Sequence, residues 1–118
     1  MASQSLEEID SILREAMDRR KTIELEYRGE DELRFHQREF EPWCYGIHAT
    51  TGNRVLRAYQ TAGHSESGMP DELPFWRLAR LDRMRNVTIG SNDIREQSPP
   101  HYNPEDKHMR EIYVALPE

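Results

Sequence analysis

The chain has 118 residues, 36% of them hydrophobic and 32% charged, with 16 Lys and Arg against 22 Asp and Glu for a formal charge of −6. That length corresponds to one domain, and two Trp, five Tyr and three Phe give it the apolar surface for a single small core, which excludes wholesale disorder. No stretch approaches the roughly 20 apolar residues of a membrane helix, the polar N-terminus lacks a secretory pattern, and a lone cysteine, Cys44, excludes an internal disulfide framework. A cytoplasmic location is expected.

Ser5 followed by Glu8 has the spacing of a capping box, so a helix is predicted to start there. Leu6, Ile9, Leu13, Ala16 and Met17 recur at steps of three and four and form its apolar stripe. Over residues 22–28 the period changes to two: Ile23, Leu25 and Tyr27 alternate with polar side chains, as in a half-buried strand. A long β-like stretch over 33–47 contains Pro42, which a strand tolerates only at a bulge, bend or edge. Residues 48–53 read as a hairpin turn. Strands are predicted at 54–60, 75–83 and 85–89, with a Gly/Ser/Pro loop at 61–74. Past residue 90 the chain is polar and proline-containing, and 112–116 offers one short closing strand. The expected architecture is α+β: an N-terminal helix, then about five strands in a small, strongly bent antiparallel sheet closed into a barrel. Residues 1–90 form the expected domain and 91–118 its tail.

The net charge argues against phosphate-bearing partners until its distribution is read. Residues 1–33 and 91–118 are both acidic, whereas 34–90 holds eight basic side chains against six acidic ones, and all eight are Arg. Arg presents a planar fork of donors suited to carboxylate or phosphate. The alternative is structural pairing with neighbours such as Asp82, Glu39 or Glu41. Arg77 and Arg83, six residues apart, share one face of an unbroken strand, whereas Arg80 points to the other. The loop around Ser65 and Ser67 has the hydroxyls and glycines of an anion nest, or is a solvated hairpin loop. Trp43, Tyr45, Tyr59 and Trp76 are interleaved with Arg as base-stacking platforms would be, or form the core. Cys44 between Trp43 and Tyr45 reads as a buried, inert thiol. His101 and His108 lack zinc-pair spacing. With no catalytic constellation or nucleotide fingerprint, neither an enzyme nor a bound cofactor or metal is expected.

The strand 54–60, the Gly/Ser loop and the segment Trp76-Arg77-Leu78-Ala79-Arg80-Leu81-Asp82-Arg83 together resemble the WYL-domain family, closest to its small stand-alone bacterial members. The likeness covers residues 5–90 and includes a helix running into Ile23–Tyr27 and a strand reaching Glu41-Pro42-Trp43. At the family's name-giving Trp-Tyr-Leu this chain has Arg54-Val55-Leu56, and Ala79 stands where the family often has an aromatic. The resemblance implies an Sm-like barrel and a sensory or regulatory role in transcription, with a negatively charged or nucleic-acid-derived ligand. Arg77, Arg80 and Arg83 match the family's basic segment. With Arg57, Tyr59, Gln60, Trp76, Ser65 and Ser67 they form the expected ligand-binding set, for an anionic small molecule, a nucleotide or a short single strand. Too few residues precede the first strand for a winged helix, so sequence-specific DNA binding by this chain alone is not expected. A second reading is a protein-interaction or oligomerisation module. Val55 and Tyr59 on one face of 54–60, and Leu56 and Ala58 on the other, call for a second covering layer, from the tail or another subunit.

Overall fold

A computed structural model describes residues 4–63 and 75–118; Ser65 and Ser67 lie outside the described residues. Helix α1 (Leu6–Arg19) precedes strands β1 (Lys21–Tyr27), β2 (His36–His48), β3 (Arg54–Gly63), β4 (Phe75–Arg80), β5 (Met84–Asp93) and β6 (Met109–Ala115), with a 3-10 turn at Leu81–Arg83. The capping box forms as its spacing predicts: Ser5 Oγ accepts from the Glu8 N–H at 3.1 Å, and Glu8 Oε1 accepts from the Ser5 N–H at 3.0 Å. Ile9, Leu13, Ala16 and Met17 are buried against the sheet. Leu6, in the first turn at the end of the stripe, remains 39% exposed. No helix among the described residues is long and apolar enough to cross a membrane.

The sheet is antiparallel, in the order β4-β3-β2-β1-β5. Along one edge β2 pairs with β3. Along the other, its first half, 36–40, pairs with β1, and its second half, 44–48, with β6. Pro42, which has no N–H to donate, sits where this second edge changes partner and where the register with β3 slips. A residue that weakens a continuous ladder thus occupies the place where the ladder is interrupted.

The outermost strands of that order, β4 and β5, are joined by only the three residues of the 3-10 turn. The sheet must therefore curl until its two ends nearly meet. β4 and the turn meet the end of β1 through single hydrogen bonds: the Arg80 N–H donates to the Tyr27 hydroxyl at 3.0 Å, and the Arg28 N–H to the Arg83 carbonyl at 3.2 Å. No β4–β5 ladder forms among the described residues, so the sheet has six strands and is not closed, where about five strands in a closed barrel were expected.

Inside the curl, Ile23, Leu25, Phe40, Tyr45, Leu56, Ala58, Ala79 and Leu81 pack with α1 into the main core. The expected division at residue 90 falls within β5, and the chain beyond it packs on the same body. Ile94 and Leu116 join the main core, Met109 is buried in a smaller cluster with Cys44 and Val55, and the closing strand runs from Met109 to Ala115. Cys44 is fully buried with its Sγ 3.8 Å from Met109 Sδ; burial, aided by the nearby Asp106 charge, pushes the thiol up to about 11. A thiol reagent is expected to leave the native protein unlabelled and to label it stoichiometrically in denaturant; rapid labelling under native conditions would contradict this packing.

Candidate ligand-binding site

The β3–β4 register sorts the expected site residues. Ala58 pairs with Arg77 and Tyr59 with Trp76, so Arg77 shares the inward face with Ala58 and Gln60, while Arg57, Tyr59 and Trp76 point outward. They form two groups on opposite faces of the same pair of strands.

The outward group is tied to residues 95–108. Arg57 Nε donates to Asp106 Oδ2 at 2.8 Å, and Trp76 Nε1 donates to the Pro100 carbonyl at 2.7 Å. Tyr59 meets Trp76 edge to face at 4.9 Å, with the Arg95 guanidinium 4.8 Å from the Tyr59 ring centre. Burial opposes ionisation of Asp106, but Arg57 and the His108 backbone N–H and side chain together outweigh it and hold the carboxyl below its ordinary value.

The inward group forms a cleft of about 220 Å³, lined by Tyr27, Gly29, Glu30, Arg77, Ala79, Arg80 and Arg83, at the gap between β4 and the end of β1. Arg77 is half-buried, and its Nε donates to the oxygen of the fully buried Gln60 at 3.2 Å. Its pKa is lowered by burial and then by the like charge of Arg38. The Arg38 side chain is 0% exposed; one amino group pairs with Glu32, while its Nε and Nη1 are buried with no hydrogen-bond acceptor among the described residues. Arg80 folds back on Asp82 through two hydrogen bonds, 3.0 and 2.6 Å. Arg83 donates through Nη1 to the carbonyls of Arg28 and Gly29 at 3.3 and 3.4 Å, and its buried Nε has no acceptor among the described residues. Burial raises the Tyr27 pKa, so its hydroxyl keeps its proton; it accepts from the Arg80 N–H and retains that proton to donate.

The chain leaves the strand at Leu81–Arg83, so Arg77 and Arg83 line one cleft because the 3-10 turn carries Arg83 back, and not because they share an unbroken strand face. Of the anticipated structural pairings, Asp82 takes Arg80 and Glu41 takes Arg95, whereas Glu39 accepts from Thr22, Thr61 and Asn92. Tyr27, Glu32 and Arg38 were not among the expected site residues. The available signal was an Arg at position 38, in phase with the inward Phe40. Among the described residues no group of three or more His, Cys, Asp and Glu could hold a metal ion.

The structure thus defines a small α+β domain whose curled sheet gathers arginines at an unclosed seam. The chain belongs to the WYL-domain family: the model of that domain matches residues 8–89. No curated protein and no solved structure is significantly similar to it. The departures from the family pattern now have physical settings. Of Arg54-Val55-Leu56 only Leu56 lies in the main core, while Arg54 reaches Glu7 of α1 at 3.4 Å. Ala79, small where an aromatic is common, faces Leu56 and borders the cleft.

Proposed function

We propose that this WYL domain is a sensory or regulatory module that binds a small phosphate-bearing anion, a nucleotide or the end of a short single strand, in the seam cleft. In this reading the sheet is an Sm-like barrel left open between β4 and β5, and the cleft beside that opening, between β4 and the end of β1, is the ligand entrance. One observation carries the proposal. Arg38, whose guanidinium lies 5.2 Å from the Tyr27 ring centre and whose charge acts on Arg77, has two buried N–H groups with no acceptor among the described residues, and Tyr27, Arg77 and Arg83 all line the cleft. Buried guanidinium donors are costly when unpaired, and a bound anion offsets that cost. Glu32 is paired with Arg38 and Asp82 with Arg80, and Glu30 lies at the rim of the cleft with Arg77 and Arg83.

The apolar outward face of β3, which motivated the interaction-module reading, is covered by the chain's own β6 and residues 95–108, so no observation favours that alternative. Calorimetric titration with nucleotides and short oligonucleotides, at low and high salt, tests the proposal. Arg77→Ala is expected to weaken binding roughly ten- to hundredfold, as loss of a charged hydrogen bond does, and Tyr27→Phe by less. Binding that is absent for every probe, or unchanged in Arg77→Ala, overturns the assignment.

A further inference from the structure

The outward face carries a second pocket that the family likeness does not account for. Residues beyond the matched segment fold over β3 and β4 and enclose about 250 Å³, bounded by Trp76 and Arg57 from the sheet and by Tyr102, Asp106, Lys107 and His108 from the overlying segment. It lies on the opposite side of β3 and β4 from the seam cleft.

Its walls are fixed by their own hydrogen bonds. The Trp76 indole is held by Pro100 and stacks on Tyr102, ring centres 5.8 Å apart at 17°. The Tyr102 hydroxyl is in turn tied to the backbone carbonyls of Trp43 and Leu116, at 2.9 and 2.7 Å. Asp106 is the pocket's one carboxylate and is fully engaged. Oδ2 takes Arg57 Nε at 2.8 Å, Oδ1 takes the His108 backbone N–H at 2.9 Å, and Arg57 Nη2 also reaches His108 Nδ1 at 3.0 Å. Arg57 is therefore held in one orientation, and its Nη1 makes no hydrogen bond with any described residue. Lys107, which has no ion pair among the described residues, adds a cation at the wall.

From this we infer that the outward pocket is a separate binding site for a small planar aromatic anion, its ring against Trp76 and its carboxylate or phosphate on Arg57 Nη1 and Lys107. A flat apolar wall beside a fixed guanidinium suits a ring with an acidic substituent. The volume, just below the roughly 300 Å³ at which typical small-molecule sites begin, suits one or two fused rings. Because Arg57 is already held by Asp106 and His108, ordering that side chain on binding loses little conformational entropy.

The two tryptophans provide the readout, since each indole N–H gives its own signal in a proton–nitrogen correlation spectrum. Adenosine monophosphate and salicylate are the probes for a phosphate and a carboxylate source, with adenosine and benzyl alcohol as uncharged counterparts. At least one anionic probe is expected to shift the Trp76 indole signal saturably and to bind about tenfold or more tightly than its counterpart. Arg57→Gln is expected to abolish the shift. Lys107→Glu, a surface change that spares the Arg57–Asp106 pair, should weaken binding about threefold or more, and Arg77→Ala should leave it unchanged. No Trp76 shift with either anion, or the same affinity in Lys107→Glu, overturns the inference. Loss of the shift in Arg77→Ala also overturns it, by placing the binding at the seam cleft; failure of seam binding alone leaves this site standing.

Discussion

Truncation after Gly90 is expected to yield a chain that does not fold cooperatively at room temperature. The cut removes the end of β5, all of β6 and the overlying segment. With them go the buried side chains of Ile94, Met109 and Leu116 and the half-buried Tyr102. At about 1.5–3 kcal/mol for each fully buried side chain, the first three alone contribute roughly 5–9 kcal/mol, comparable with the roughly 5–15 kcal/mol total stability of a small domain. Three further losses act in the same direction. Residues 44–48 of β2 lose a ladder partner, Trp43 loses the Tyr102 ring packed 5.0 Å away, and Asp106 and Arg95 no longer neutralise Arg57 and Glu41. Circular dichroism and size-exclusion chromatography should show lost thermal cooperativity and aggregation. A soluble fragment with a sharp melting transition would mean that residues 91–118 are dispensable.

The parts of this fold legible in the sequence are those set by short-range chemistry. Ser5 and Glu8 fix the helix start, the two-residue period fixes β1, and Pro42 marks the interruption in β2. Apolar residues on both faces of 54–60 called for a second layer, and the C-terminal segment provides it. What could not be read depends on pairing between distant residues. Arg57 and Arg77 lie on opposite faces because Ala58, and not Arg57, pairs with Arg77; a shift of one residue would reverse that. The break at Leu81 is hidden because Leu81-Asp82-Arg83 continues the alternation of the preceding strand. The seam cleft joins Tyr27 from β1, Arg77 from β4 and Arg83 from the turn, with Arg38 from β2 against the Tyr27 ring, four positions related only by the curl of the sheet.

The buried pair of Arg38 and Glu32 gives the second large effect. Glu32→Ala is expected to destabilise the fold by about 3–5 kcal/mol, because it leaves the Arg38 charge buried and unpaired. It also removes the acceptor of the Gly29 N–H, which anchors the turn between β1 and β2. The response to acid follows the same pair. Burial raises the Glu32 pKa, but the Gly29 N–H and Arg38 outweigh burial and hold it below the reference value of 4.5. The stabilisation is therefore complete above that value and is lost as pH falls through the lowered folded pKa, so native stability should decline in that acidic range more steeply than that of Glu32→Ala. Arg38→Met separates folding from ligand binding. An unbranched apolar side chain in its place removes a desolvated charge and two donors that have no acceptor among the described residues, and can still pack against the Tyr27 ring, whose centre lies 5.2 Å from the guanidinium. Its stability is expected to be unchanged or raised by about 1–4 kcal/mol, provided Glu32 is replaced by Gln at the same time so that no carboxylate is stranded. The same double variant should bind nucleotide at the seam roughly tenfold more weakly, having lost the Arg38 charge. Higher stability with weaker binding would identify Arg38 as a group kept for its ligand at the expense of the fold. Lower stability with unaltered binding would make it a structural ion pair and remove the main support for an anion in the seam.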